Sequence, residues 1–265
     1  MTDRHPRLFG VPLAAVTTDE FIDRMAAWAG EEVVGAPRVV TYLNAHTANL
    51  AAEDPEFRAL LERSALTYAD GMAVVRACRR LGTPLPERVN AGDFLERFLW
   101  RMKRDDVPVG LLGCGRPVVE ACASRLEAAV PGLRFACVES GHFALGGEEE
   151  RVLLQRIRDG QPAVLLTGMG SPRQERWAFA RGAETGARVV WCVGALCEYF
   201  SGLRPRAPVW MRQAGLEWAF RLGCEPRRMA RRYLWGNGAF LLRLNQERRR
   251  QSDSNSRERD CPHQG

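Results

Sequence analysis

Between residues 38 and 194 the chain repeats one pattern: a short apolar run, a glycine or polar residue, then a longer amphipathic stretch. RVVTYLN (38–44) precedes AHTANLAAEDPEFRALLERS, ALTYADG (65–71) precedes MAVVRACRRLG, and VPVGLLGCG (107–115) precedes RPVVEACASRLEAAV. LRFACVES leads to EEERVLLQRIRDG, PAVLLTGMG (162–170) to PRQERWAFARGAETG, and ARVVWCVG closes the series. Strand and helix patterns in alternation predict an α/β fold, a Rossmann-like parallel sheet with helices on both faces. In such sheets ligands bind at the carboxyl ends of the strands. The first candidates are therefore Asn44, Asp70 with Gly71, Gly113 with Gly115, and Gly168 with Gly170. Past Gly202 the pattern changes to Arg-rich, aromatic-rich helix. The division expected is a core over 1–202, a basic helical appendage over 203–245 and a polar, disordered tail over 246–265.

Charge sharpens that division. Residues 201–250 hold twelve arginines against Glu217, Glu225 and Glu247, a net of +9, which leaves −3 for the rest of a chain whose total is +6. A basic pole on a mildly acidic body attracts phosphate in nucleic acid, in an anionic bilayer or in a pyrophosphate-bearing substrate. The eight cysteines form no CxxC pair, which fits reduced, buried thiols in a cytosolic protein rather than a disulfide or zinc framework. The segment MTDRHPRLFGVPL lacks the apolar centre of a signal peptide, and no run reaches the roughly 20 apolar residues that span a bilayer. Contact with a membrane is expected to be peripheral.

Each candidate has two readings. LLGCGRPV and LLTGMGSPRQE both place GxG after a strand but do not complete GxGxxG, so they are nucleotide-phosphate turns or plain strand-to-helix connections. Asp70 is either the cap of the helix that begins near Met72 or a general base at the mouth of the sheet. Asn44 carries the same ambiguity. His46 and His142 stand apart from other ligands, and there is no DxD motif, so no metal site is expected. A leaving diphosphate would then be neutralised by arginines and backbone amides. The stretch GLEWAFRLGCEPRRMARRYLWG (215–236) supplies such arginines: Pro226 can open a helix on which Arg228, Arg231, Arg232 and Trp235 recur at helical spacing, with Arg221 just before it. A nucleic-acid-binding module and a nucleotide-dependent oxidoreductase are the alternatives from other classes.

Asn44, YADG (68–71), ERVNAGDF (87–94), LLGCG (111–115), GMGSPRQE (168–175) and LRPRAPVWMRQAGLEWAFRLGCEPRRMARRYL together resemble the WecG/TagA/CpsF glycosyltransferases of bacterial surface-polysaccharide and wall-teichoic-acid assembly. The resemblance runs from about Leu8 to Leu244. It implies an inverting transfer, without a metal or other cofactor, from a UDP-sugar to a sugar on undecaprenyl pyrophosphate. It also implies a cytoplasmic protein on the inner face of the cell membrane that does not bind nucleic acid; a homo-oligomer is left open. By this resemblance Asp70 is the general base and Asn44 positions it. Gln174 contacts substrate, and Arg221, Arg228 and Arg231 belong to an appendage that closes over the site. Where the family usually has threonine two residues before the asparagine, this chain has Tyr42, and the adjacent Thr41 is the substrate-binding candidate in its stead. His142 and Glu198 stand where the family usually has Tyr and Asp in the nucleoside region.

Overall fold

The computed structural model describes residues 6–31, 35–230, 233 and 235–259. A two-stranded hairpin, β1 (Arg7–Leu8) and β2 (Val11–Pro12), is followed by α1 (Thr18–Gly30), β3 (Arg38–Leu43), α2 (Ala45–Glu53), α3 (Pro55–Arg63) and β4 (Leu66–Ala69). Then come α4 (Met72–Arg80), α5 (Ala91–Arg104), β5 (Val109–Gly113), α6 (Arg116–Ala129), β6 (Phe135–Glu139), α7 (Glu148–Gly160), β7 (Val164–Gly168) and α8 (Arg173–Arg181). A 3-10 turn (Gly182–Thr185) leads to β8 (Val189–Cys192) and α9 (Leu196–Phe200). The remaining helices are α10 (Val209–Ala214), α11 (Glu217–Cys224), α12 (Pro226–Ala230) and α13 (Gly236–Arg259).

Strands β3 to β8 form one parallel sheet in the order β4-β3-β8-β7-β5-β6. The expected α/β architecture is thus present, with all six anticipated strands in it. Side chains alternate across the sheet. Val40 and Tyr42 of β3, with Val189 and Trp191 of β8, face a core built with α1, α5, α6 and α9. Val39, Leu43, Val190 and Cys192 face two smaller cores, one under α2, α3 and α4 and one under α7 and α8. Trp191 is fully buried and donates its indole N–H to Tyr68 Oη at 3.1 Å.

Two segments differ from the sequence expectation. Residues 45–64 read as one helix but form two, because Pro55 lacks the N–H that would continue α2 and Asp54 caps the new start by accepting from Phe57 N at 3.0 Å. From 246 onward the polar segment continues as α13 to Arg259. The anchor lies upstream, where Phe240 and Leu244 are buried against the β1–β2 and α2–α4 core and Glu247 accepts from Phe9 N. Residues 248–251 continue the helix with good helix formers, while the SDSNS run at 252–256 is helical despite weaker propensity.

Candidate active site

A cleft of about 800 Å³ crosses the carboxyl ends of β3, β4, β7 and β8, roofed by residues of α11 and α13. Asp70 sits on it, one residue beyond β4. The cap of α4 is Gly71, with no side-chain cap bond, so the Asp70 carboxylate is not spent on the helix. It accepts from two asparagines instead: Asn44 Nδ2 at 3.3 Å on Oδ2 and Asn90 Nδ2 at 2.8 Å on Oδ1. Burial pushes its pKa up to about 6, against the opposing pull of the Asn44 hydrogen bond.

Neither asparagine is free to turn its amide over. Asn44 is the cap of α2, and its Oδ1 accepts from His46 N and Thr47 N while Thr47 Oγ1 accepts from Asn44 N. The Asn44 amide thus has two partners: its oxygen caps α2 and its nitrogen meets Asp70. Asn90 Oδ1 accepts from Arg206 Nη2 at 2.9 Å. Arg206 also reaches Gly92 O and Asp93, and Asp93 further pairs with Arg88 and Arg212. Arg88 lies 3.7 Å from Glu217 of α11. Asp70 is thereby wired to the appendage. Asn90 and Arg206 were not singled out from sequence; the signals were that Asn90 falls inside ERVNAGDF and Arg206 inside LRPRAPVW.

The glycine turns lie at the other end of the cleft. Gly168 and Gly170 line it, Gly170 with φ +80°. Gly113 packs behind, where a Cβ would come within 3.0 Å of Gly168 O, and Gly115 starts α6 beside the His142 ring. His142 and Glu198 line the same region, His142 exposed and Glu198 paired with Arg204 at 3.0 Å. Arg221 lines the cleft with its guanidinium over the Tyr199 ring, 5.5 Å from the centroid. The Tyr199 hydroxyl is buried with no hydrogen-bond partner among the described residues. Arg228 lies on α12, which Pro226 opens as expected; Arg231 and Arg232 lie outside the described residues.

Two expected contacts are displaced. Thr41 is fully buried on the opposite face of β3, bonded to Ser64 and Thr67, because neighbouring strand residues point to opposite faces. The residue on the cleft is Tyr42, whose hydroxyl lies 3.3 Å from Ser171 Oγ. Gly194 makes room for that ring, since a Cβ there would sit 2.6 Å from Tyr42 Oη. Gln174 is also fully buried and lies below the cleft wall. Its Oε1 accepts from Gly194 N at 3.0 Å and its Nε2 donates to Glu175, so it braces the loop after β8.

A parallel sheet with an uncommitted carboxylate at one strand end, glycine turns across from it and an arginine-bearing helical roof defines an α/β enzyme cleft suited to a phosphate-bearing substrate. The model of the glycosyl transferase WecG/TagA/CpsF family matches residues 6–254, and the chain belongs to that family: it is a glycosyltransferase. Among its relatives, the N-acetylglucosaminyldiphosphoundecaprenol N-acetyl-beta-D-mannosaminyltransferase of Staphylococcus aureus (strain NCTC 8325 / PS 47) is 30% identical over 75% of this chain and 74% of its own length. The enzyme of the same name from strain MRSA252 is 29% identical over the same shares.

Proposed function

We propose that the protein transfers a hexosyl or hexosaminyl group from a UDP-sugar to a sugar carried on undecaprenyl diphosphate, with inversion and without a metal ion. The observation that carries this is Asp70: a carboxylate at the cleft, released from capping, held by two amide donors and poised near neutrality. An acceptor hydroxyl attacks the anomeric carbon, its proton passes to Asp70, and the bond from that carbon to the UDP oxygen breaks with its electron pair leaving on UDP. Arg221 balances the charge that grows on the departing diphosphate, together with Arg228 and Arg231, and the glycine turns offer backbone N–H groups. Gly113, Gly115, Gly168, Gly170, His142 and Glu198 form the nucleotide end. The metal-free part of the reading rests on these arginines and backbone amides, which can take the charge of the leaving diphosphate. The activity named for the Staphylococcus aureus relatives supports N-acetylmannosamine as the donor sugar. Its uronic acid, glucose and glucuronate are the competitors, because Tyr42 narrows the donor end.

The test is UDP release in EDTA from a panel of these UDP-sugars with a short-prenyl diphosphoryl N-acetylglucosamine. Wild type turns over, and Asp70→Asn loses about 100- to 10,000-fold, the usual worth of a general base. Near-full turnover by a folded Asp70→Asn, or activity only with a divalent ion, overturns the mechanism.

Peripheral attachment to the inner face of the cell membrane is part of the same reading. No helix among the described residues is long and apolar enough to cross a membrane. Of the eleven large hydrophobic residues exposed among the described residues, eight fall between Leu203 and Leu242, Trp210 and Trp235 at 63% and 79% exposure among them. Arginines interleave with them, and each basic residue near an anionic surface adds about 1 kcal/mol. In flotation with anionic liposomes, full-length protein is expected to float and Trp210→Ser/Trp235→Ser to stay largely below; equal flotation sinks the attachment.

A further inference from the structure

We propose that the acceptor's diphosphate binds to Arg76 and Arg80 on α4 and that its prenyl chain leaves along the first turns of α13. This rests on the transferase reading above and names where the second substrate lies. The cleft does not end at Asp70. It continues past the base between α4 and α13, where Met72, Ala73, Arg76, Ala77 and Arg80 line one wall. At 100° per residue these five fall within an arc of about 140°, so they form one stripe of the helix, while Val74, Val75 and Cys78 turn inward to the core. The facing wall is apolar: Phe240, Leu241 and Leu244 recur at the spacing of one helical face. Phe240 and Leu244 are held in the core, and Leu241 is half exposed.

The order of strands separates this end from the nucleotide end. The glycine turns follow β7 and β5, three and four strands from β4, or roughly 14 to 19 Å at the usual strand spacing. A nucleoside diphosphate laid over those turns reaches Asp70 with its sugar and leaves the α4 side open. Arg76 is six residues beyond Asp70, a rise of about 9 Å along a helix, and Arg80 lies one turn further. That leaves room for one pyranose ring between the base and the first phosphate. Arg76 donates to Ala214 O at 3.2 Å, with the rest of its exposed guanidinium open to a ligand, and no described carboxylate pairs with Arg80. Two arginines one turn apart beside an apolar wall match a diphosphate ester of a lipid, which needs charge-assisted bonds at one end and apolar cover at the other.

Both arginines are exposed, so Arg76→Ala/Arg80→Ala is expected to keep its fold and melting temperature. Its KM for the prenyl diphosphoryl acceptor should rise tenfold or more, the loss of two charge-assisted contacts, with kcat and the KM for the UDP-sugar within about twofold. An unchanged acceptor KM, or an equal rise for donor and acceptor, overturns the proposal. Binding of farnesyl diphosphate, followed through tryptophan fluorescence, needs no turnover and separates this idea from the transferase reading. Wild type should bind it, the double variant tenfold or more weakly, and Leu241→Ser should weaken farnesyl diphosphate but not methyl diphosphate. If that pattern holds while no UDP-sugar is turned over, the lipid diphosphate site stands and the reaction assigned above fails. If the wild type and double variant bind farnesyl diphosphate alike, the site is wrong whatever the reaction.

Discussion

At the scale of single residues the protein has to keep one carboxylate ionisable in a place that disfavours charge. Burial raises Asp70 to about 6 against the pull of the Asn44 amide N–H, and Asn90 donates to its other oxygen. Both amides are locked, Asn44 by the α2 cap and Asn90 by Arg206, so each offers a donor to the carboxylate and not an acceptor. In the proposed role of base Asp70 must be ionised, so kcat/KM should fall about tenfold per pH unit below about 6 and level off above it. Asn90→Ala removes a bond made to the ionised form, so the acid limb should move to higher pH, while saturating alkaline rates recover most of the activity. A limb that stays in place would show that Asn90 only packs. Asp70 was legible in the sequence because it closes an apolar run, but whether it caps α4 was not; that depended on Gly71 taking the cap. Asn90 was illegible, since twenty residues separate it from Asp70 and nothing local marks an asparagine as another residue's partner.

At the scale of elements, the junction of β3 and α2 couples stability to chemistry through Asn44. Substitution tells the two roles apart. Asn44→Ala loses the cap as well as the donor and should cost about 1 kcal/mol of stability, seen as a lower melting temperature, along with activity. Asn44→Asp keeps an acceptor for His46 N and Thr47 N, so its melting temperature should stay near wild type. It sets a second carboxylate against Asp70, however, and activity at pH 7 should drop as the Asp70 pKa climbs. If Asn44→Asp were fully active, the asparagine would be a cap alone. The strands were readable because each is a buried apolar run, and the neighbouring faces of β3 follow from its alternation. Reading Thr41 as a stand-in for a threonine at position 42 ignored that alternation. The break between α2 and α3 was signalled by Asp54-Pro55. The helical course of 246–259 was not, because composition reports a shortage of apolar residues but not the anchored turns upstream that a helix can continue.

At the scale of the whole molecule, the question is what holds the basic appendage over the cleft. Hydrophobic burial secures one end, through Phe240 and Leu244 of α13, and Asn49 ties α2 to Gly236 O at 2.7 Å. The other end rests on charge. Asp93, at the start of α5, receives Arg88 from the core side and Arg206 and Arg212 from the appendage, while Arg88 also approaches Glu217. One carboxylate thus offsets three guanidiniums that would otherwise repel one another; the arginines are partly buried, while Asp93 keeps 31% of its side chain exposed. Removing the shared carboxylate costs more than one exposed pair would suggest, because three partly buried guanidiniums lose a common counter-charge at once. Asp93→Ala should therefore release α10 and α11 while leaving the sheet folded. Two measurements check it: proteolysis should cut within residues 201–225 faster than in wild type, and activity should fall with a raised KM for the UDP-sugar, since Arg221 no longer closes on it. Asp93→Glu, which restores the charge, should recover part of both. Unchanged proteolysis with normal activity would mean that burial of α13 alone seats the appendage, and that the link from Arg206 through Asn90 to Asp70 carries no information about whether the roof is closed.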